Sequence, residues 1–396
     1  MHPHETALVT SPLGVGAVVT LLIAGSFWLD RRYRWFSWLG TAILVITGGA
    51  VLANIGVIPP SIETGSGPVN PFYTFAYDYG VPLAIVYILL STDLRALRGV
   101  GKPALIAFVL ASVGTLAGTV IGAWLLADAI GPEMWKLGGQ FAASYIGGGV
   151  NYAAVGQAVH TSGSLYAAGA AADNIMTNLW MVATAVIPTL LARFYPSIRN
   201  RRETDTAPAG NGFMSGGPTT VSIHEMTYLT AVALTLVAIS QWITPIVARW
   251  VGFEIPTVIY YTTFALLLSW FTPINRWGGG EELGNLMLHF FFATMGAGTI
   301  LSTLVNKGPA VFLFLTVLVG VHALIVFGLG KWARIEIETL SIASQATVGG
   351  PSTALALAVS QRWTSLVTPG VLLGVLGYAI GTYVGIATAR LLQVLL

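Results

Sequence analysis

The sequence of 396 residues contains no cysteine and few charged residues. Without cysteine, the chain cannot form a disulfide, a thiolate metal site or a thiol nucleophile. Charged residues make up 9% of the chain, whereas globular chains carry about 25%. The net charge of +2 is too small to indicate nucleic-acid binding, and hydrophobic residues reach 55%. The composition therefore predicts an integral membrane protein.

Several functional motifs are also missing. The sequence contains no G-x-x-x-x-G-K-[ST] phosphate loop, no H-E-x-x-H zinc motif and no Cys/His metal set. We therefore expect no enzymatic activity and no cofactor, and a pump driven by nucleotide hydrolysis would need a separate subunit. The first residues lack the basic region of a cleavable signal peptide, so we expect the first apolar segment to be retained. His2, His4 and Glu5 could chelate a metal, but a disordered terminus explains them equally simply.

The apolar segments fall into two sets separated by one long polar stretch. Twelve segments occur at about residues 12–29, 35–58, 73–91, 103–130, 138–160, 163–192, 226–250, 255–271, 282–305, 309–331, 339–360 and 365–392. Most are long enough to span a bilayer, which takes about 18 residues or more. We predict an all-α polytopic membrane protein with a first repeat at 1–192, a polar cytoplasmic linker at 193–225 and a second repeat at 226–396.

One segment in each half is broken in the same way. Both breaks contain Ala-Ser, a few further residues, a glycine pair and small polar residues, in the ranges 142–153 and 342–354. Glycine and these polar residues disfavour a continuous helix. Broken backbone at membrane depth is tolerated only where it is buried in protein or lines a wet cavity. Paired breaks in two halves are typical of the binding site of a secondary transporter, although the glycines could instead serve close helix packing.

The distribution of basic residues favours two re-entrant hairpins at the breaks. If all twelve segments cross the membrane, the 18 lysines and arginines divide equally between the two sides. If both broken segments enter and leave on one side, 14 of the 18 lie on the side that holds the linker. Positive residues favour the cytoplasm. We therefore predict five crossings and one broken or re-entrant helix in each half, inverted repeats, and both termini outside.

The breaks supply candidate ligands for a solute and an ion. Exposed helix N-termini attract anions, whereas carbonyl groups and helix C-termini attract cations. Neutral oxygen ligands suit a hard cation such as sodium. In the two breaks we predict binding by Ser144, Gly147, Gly148, Gly149, Asn151, Ser344, Gln345, Thr347, Gly349, Gly350, Ser352 and Thr353.

Asp173 is the most informative charged residue. It lies about ten residues into an apolar segment just after the first break, and Asn174 and Asn178 accompany it. A carboxylate inside a membrane is costly and indicates a functional site. We predict that Asp173 ligates sodium or carries a proton, with a structural hydrogen-bonding role as the alternative.

Other polar residues carry weaker indications. Asp78 could assist the site or serve a structural role, and for His289 and His322 core packing is favoured over proton relay. Glu336 and Glu338 are typical of a solvated helix entrance. The cluster Arg193–Arg202 most simply sets the topology, and it could also contact anionic lipid.

Four stretches resemble a known family over nearly the whole chain. They are Ser144–Asn151, Ala171–Asn174, Ala343–Ala354 and Pro369–Thr382, and they resemble the uncharacterised membrane family called domain of unknown function 819. Gly149 stands where that family's pattern has serine, so one hydroxyl ligand is absent. The family is grouped with cation/proton antiporters, bile-acid symporters and glutamate symporters. The resemblance implies inverted repeats, a mobile core against a scaffold, elevator-like motion and a homodimer, but no particular substrate.

We therefore predict a sodium-coupled symporter of a small carboxylate-bearing or zwitterionic solute, with alternating access around the two breaks. The predicted partners are the solute, the coupling cation (Na⁺ or H⁺), the bilayer of a prokaryotic inner membrane and a second copy of the chain. Two alternatives stay open: a cation/proton antiporter that uses Asp173, and a non-transporting membrane receptor or scaffold.

Overall fold

The computed structural model describes residues 7–33, 36, 40–61, 70–196, 222–252, 255–299 and 301–396. The described chain is helical throughout. Its helices are α1 (Pro12–Arg32), α2 (Thr41–Asn54), α3 (Pro71–Leu90), α4 (Lys102–Ile130), α5 (Met134–Gly147), α6 (Gly149–Ala158), α7 (Gly163–Leu191), α8 (Ile223–Val251), α9 (Thr257–Phe271), α10 (Gly280–Ala297), α11 (Leu301–Trp332), α12 (Ile337–Ser360) and α13 (Thr364–Leu395).

Seven helices in the described ranges are long and apolar enough to cross a bilayer: α1, α3, α4, α7, α8, α11 and α13. Helices α2 and α9 are shorter and apolar. Large apolar side chains such as Leu13, Trp124 and Leu324 point outwards and are exposed, as lipid contact requires. The prediction of an all-α polytopic membrane protein is confirmed.

The first broken segment folds back on itself at Gly148. This residue has φ 77° and ψ −179°, a conformation that glycine adopts without steric cost. The Gln140 side chain donates to the Tyr152 carbonyl oxygen at 3.4 Å, and Lys136 Nζ donates to the His160 carbonyl oxygen at 2.9 Å. Each pair is centred on Gly148, so α5 and α6 lie side by side and antiparallel. We call this pair hairpin 1.

A small polar cluster closes the open end of hairpin 1. Lys136 Nζ lies 2.6 Å from Glu133 Oε1, and the Ser162 hydroxyl donates to the other oxygen of the same carboxylate. Burial raises the pKa of Glu133, but the hydrogen bonds from Lys136 and Ser162 together leave the pKa below its usual value. The folded state therefore favours the ionised carboxylate, so the cluster is intact at neutral pH and is lost as the pH falls below the ordinary range of a glutamate.

The second broken segment turns at Gly350, which has φ 78° and ψ −169° inside α12. The arm after the turn begins with Pro351, the residue whose fixed φ suits the first position of a helix. Ile342 and Ala354, one from each arm, both lie against Gly370 of α13, and Ile342 shares a hydrophobic cluster with Leu357 and Ala358. The arms at 337–349 and 351–360 therefore also form a hairpin, which we call hairpin 2.

Long helices with glycine at their contacts hold the two hairpins together. Helices α4 and α11 are antiparallel, because Gly114, Gly118 and Gly122 lie against His322, Leu318 and Phe314 respectively. Helix α13 packs along α5 through Gly377, Gly381 and Gly385. Glycine permits this close approach of helices in membranes. We call α4–α7 with α11–α13 the inner group, and α1–α3 with α8–α10 the outer group.

Contacts between helix ends define two ends of the molecule. At the linker end, Lys331 Nζ lies 5.1 Å from the Phe194 ring. At the opposite end, Lys307 Nζ donates to the Ile130 carbonyl oxygen at 2.8 Å, and Thr299 donates to the Gly163 carbonyl oxygen at 3.4 Å.

Traced between these ends, α1–α4, α7–α11 and α13 run from one end to the other within the described ranges. Hairpin 1 opens at the opposite end and hairpin 2 at the linker end, and Pro12 and Leu395 both lie at the opposite end. This is the chain path that the count of basic residues favours.

Some predictions stay untested. The inverted-repeat relationship, the boundaries at 192 and 225, and the assignment of the linker end to the cytoplasm stay predictions. Most of the linker, including Arg199, Arg201 and Arg202, lies outside the described residues, as do His2, His4 and Glu5.

Candidate functional site

The tips of the two hairpins meet in the interior. A methyl group placed on Gly148 would lie 3.9 Å from Gly350 Cα and 3.3 Å from the Tyr378 ring. Helix α13 supports both turns, because a methyl group on Gly374 would lie 2.4 Å from Pro351 N and one on Gly377 would lie 2.1 Å from the Ile146 carbonyl oxygen. The two breaks, about 200 positions apart in the sequence, therefore form one structure.

A cavity of about 470 Å³ lies between these tips and the outer group. We call it the tip cavity. Its polar and tip residues are Thr41, Gly149, Val150, Tyr166, Asp173, Asn174, Thr177, Asn178, Asn285, His289, Gly349, Ser352 and Thr353. No lysine or arginine is among the described residues that line it. Because Thr41 begins α2 and Asn285 lies near the start of α10, the cavity opens towards the linker end.

Asp173 is the only acidic residue among those lining residues. Its side chain is 9% exposed, and Ser144 Oγ donates to Oδ2 at 2.9 Å. Oδ1 is buried and accepts no hydrogen bond of good geometry from any described residue, and the hydroxyls of Tyr145 and Tyr166 are likewise buried without partners. A buried carboxylate with an unsatisfied oxygen and no basic neighbour in the cavity requires a cation or a proton.

Two helix N-termini point at the same cavity. Helix α6 begins at Gly149, and the second arm of hairpin 2 begins after Gly350. The first N–H groups of a helix have no partner within it, and they favour negative charge. Gly149, Val150, Ser352 and Thr353 line the cavity, so it presents anion-binding backbone beside one carboxylate.

The predicted site residues divide into three groups. Gly149, Asp173, Asn174, Asn178, Gly349, Ser352 and Thr353 line the tip cavity. Gly147, Gly148 and Gly350 form the turns. Ser144, Asn151, Ser344, Gln345 and Thr347 are buried and hydrogen-bonded behind the cavity wall. Their action as ligands stays a prediction.

Asn151 shows what the third group does. Its Nδ2 donates to the Gly147 carbonyl oxygen at 2.7 Å, and its Oδ1 accepts from Thr382 at 2.6 Å. The residue therefore satisfies a carbonyl group at the turn and ties hairpin 1 to α13. This explains why a polar residue follows the glycines.

The outer wall of the cavity escaped the sequence analysis. His289 lies there with its Nδ1 2.7 Å from the Asn285 carbonyl oxygen and its Nε2 2.9 Å from the Thr41 hydroxyl. Thr41 is 248 residues from His289, and neither belongs to a motif. Only the spatial packing of α2 against α10 brings them to the breaks.

A buried polar network joins the two hairpins behind the tips. Thr115 Oγ1 donates to the Tyr145 carbonyl oxygen at 3.0 Å, so it accepts from His322 Nδ1, also at 3.0 Å. Trp180 Nε1 donates to Ser344 Oγ at 2.9 Å, and His322 Nε2 lies 2.8 Å from the same oxygen. A neutral His322 protonated at Nδ1 satisfies every member, with the Ser344 proton directed to Nε2.

Substitution of His322 by leucine is expected to destabilise the protein, because Ser344 and Thr115 would lose a buried partner. Each unsatisfied buried group costs about 1–3 kcal/mol. Thermal unfolding in detergent measures the change, and His224→Leu, at the start of α8 where His224 is exposed, serves as the control. An unchanged unfolding temperature in His322→Leu would show that the network does not stabilise the fold.

Comparison with known proteins gives a consistent family assignment. A family model described as "Protein of unknown function (DUF819)" matches residues 17–395. The chain is 31% identical over 381 residues to the uncharacterized membrane protein YjcL of Bacillus subtilis (strain 168), a match that covers 93% of each chain.

Proposed function

The chain belongs to the DUF819 family of membrane proteins, and from that premise we propose that it is a sodium-coupled secondary transporter of a small carboxylate-bearing or zwitterionic solute. One observation carries the proposal. Two hairpin tips meet beside a buried carboxylate that keeps an unsatisfied oxygen in an open cavity.

Sodium is assigned to Asp173. The carboxylate supplies the only formal negative charge among the residues that line the tip cavity. Because Ser144 already donates to Oδ2, Oδ1 is the oxygen left for a cation. Hydroxyl and amide oxygens of Thr177, Asn174 and Asn178 line the same wall, and hard cations prefer such oxygen ligands.

The solute is assigned to the N-termini of α6 and of the second arm of hairpin 2. These backbone N–H groups can bind a carboxylate without a basic side chain. The asparagine amides of the cavity add neutral hydrogen-bond donors and acceptors that suit an amine or hydroxyl group. A volume of about 470 Å³ falls in the usual range for small-molecule sites.

Alternating access would arise from movement between the inner and outer groups. The tip cavity lies at the boundary of these groups, with its inner wall from the hairpins and α7 and its outer wall from α2 and α10. A shift of the inner group past a fixed outer group would carry the site from one end towards the other. Elevator-like motion of this kind, in a homodimer, is part of the proposal.

Cation/proton antiport is the second candidate, and the same oxygen favours it. A proton on Asp173 Oδ1 would satisfy the carboxylate as a sodium ion does. The two functions differ in what they predict for the other ligand, because only the symporter needs the helix N-termini to hold an anion.

Thermal stability of the purified protein tests the proposal, because a ligand that binds the folded state raises its stability. Replacement of choline by sodium at constant ionic strength is expected to raise the unfolding temperature. A carboxylate-bearing solute is expected to raise it further, and only when sodium is present. A response to pH without one to sodium would favour antiport. Stabilisation without any flux in proteoliposomes would favour a receptor, and no response at all would overturn the assignment of the site.

A further inference from the structure

A second cavity, of about 520 Å³, lies at the opposite end of the same boundary. We call it the opposite-end cavity. Its inner wall comes from Gln157 and His160 at the end of hairpin 1 and from Arg390 of α13, and its outer wall comes from Asp78, Gln241 and Thr244. Both cavities thus lie between the inner and outer groups, one towards each end.

Two unusual backbone features border this cavity. Residues Ala76–Gly80 of α3 form a π-helical turn that contains Asp78, and His160 has φ 52°. π-Turns and non-glycine residues with positive φ are frequent at functional sites. The features are joined, because the Tyr77 hydroxyl lies 3.3 Å from His160 Nδ1 and Gln157 donates to the Tyr77 carbonyl oxygen.

The charges of the two cavities differ. Arg390 lines the opposite-end cavity with Asp78, whereas no basic residue is among the described residues around the tip cavity. Of the described residues that line the two, Arg390 is therefore the basic side chain that an entering carboxylate can meet. Asp78 offers the matching contact for an ammonium group.

A row of aromatic rings separates the two cavities. The rings of Tyr152 and Tyr166 are 4.9 Å apart, and Tyr166 lies 5.4 Å from Phe291. Phe291 lies 5.8 Å from Tyr77. Tyr152 and Tyr166 line the tip cavity, and Tyr77 lines the opposite-end cavity. The row begins in the inner group and ends in the outer group, so it crosses the boundary along which we expect movement.

We infer that the opposite-end cavity is a vestibule where a small zwitterionic or carboxylate-bearing solute binds before it reaches Asp173, and that the aromatic row closes that route in this conformation. The inference rests on the proposed function for the identity of the solute. It adds a second solute site, with Arg390 and Asp78 as its charged contacts, and a barrier centred on Phe291.

Single cysteines test the barrier directly, because the natural chain contains none. Ser352→Cys reports on the tip cavity and Gln241→Cys on the opposite-end cavity. Lys331→Cys and Asp128→Cys, at exposed positions of the linker end and the opposite end, identify the two faces of sealed vesicles. A membrane-impermeant sulfonatoethyl methanethiosulfonate should modify Ser352→Cys from the face of Lys331→Cys, and Gln241→Cys from the face of Asp128→Cys.

Removal of the Phe291 ring should open the barrier. With Phe291→Ala, modification of Ser352→Cys from the opposite face is expected to accelerate about tenfold or more, since loss of a buried ring leaves space for water and reagent. Phe290→Ala is the matched control, because the Phe290 ring packs against Phe72, away from the row. If Phe291→Ala does not fold, Tyr77→Ala opens the barrier from its less buried end.

The charges of the vestibule are tested by reagents of opposite sign on Gln241→Cys. Arg390→Gln should lower the ratio of anionic to cationic labelling rates about two- to threefold, and Asp78→Asn should raise it, as expected for one charge at several ångströms in water. Equal access to Ser352→Cys from both faces with the barrier intact, no effect of opening the barrier, or unchanged ratios would overturn the inference. Cysteine labelling needs neither sodium nor transport, so its outcome is independent of the proposed function.

Discussion

Asparagine at position 173 is expected to abolish the response of the protein to sodium while preserving the fold. Wild-type protein at a sodium concentration of about 100 times Kd gains about 2.7 kcal/mol of stability, and Asp173→Asn should gain none. The amide has nearly the shape of the carboxylate, and its oxygen can still accept from Ser144. Because the substitution removes a buried charge, stability without sodium should be equal or higher.

The control for this experiment is an exposed carboxylate outside both cavities. Asp128 lies near the end of α4, is exposed, and lines neither the tip cavity nor the opposite-end cavity. Asp128→Asn should keep the sodium response of the wild type. A full sodium response in Asp173→Asn would assign the ion to another site.

Alanine at position 377 is expected to separate α13 from hairpin 1. The added methyl group would lie 2.1 Å from the Ile146 carbonyl oxygen and 3.2 Å from Gly147 Cα, both of them backbone atoms. Backbone cannot move aside as a flexible side chain does, so we expect a loss of about 1–3 kcal/mol or more of stability. Because Gly147 belongs to the turn, sodium-dependent stabilisation should weaken as well.

Gly328 provides a matched control on a neighbouring helix. A methyl group there meets nothing within 4 Å, so Gly328→Ala should be neutral or slightly stabilising through helix propensity. Thermal unfolding with and without sodium compares the two variants. Equal behaviour of Gly377→Ala and Gly328→Ala would contradict the close packing of α13 on the first turn.

Local sequence predicts the inner wall of the site well. A glycine pair, small polar residues and a nearby Asp173 each have a cost in an apolar helix, so their presence there is informative without any structure. The turns at Gly148 and Gly350 require positive φ, which explains why glycine occurs at both. The asymmetry of basic residues also favours the hairpins that the hydrogen bonds of Lys136 and Gln140 display.

The rest of the site depends on contacts between distant segments. Thr41, Asn285 and His289 reach the cavity only because α2 packs on α10, and no periodicity announces that pairing. Residues such as Ser344 and Gln345 look like ligands in the sequence, yet they bond to Trp180 and Thr184 behind the wall. Sequence identifies polar residues at the break, but the direction of each side chain depends on its neighbours.

The opposite-end cavity was beyond prediction for a similar reason. Asp78 alone is ambiguous, and it gains meaning only when Arg390, 312 positions later, lines the same cavity. The π-helical turn at Ala76–Gly80 also follows no simple composition rule. The aromatic row joins helices from both groups and has no counterpart in any single stretch of sequence.

Equilibrium binding of radioactive sodium to the purified protein tests most directly whether the meeting hairpin tips and Asp173 form an ion site. Saturable binding is expected for the wild type and for Asp128→Asn, with none for Asp173→Asn. Absence of saturable binding in the wild type, or equal binding in Asp173→Asn, would contradict it.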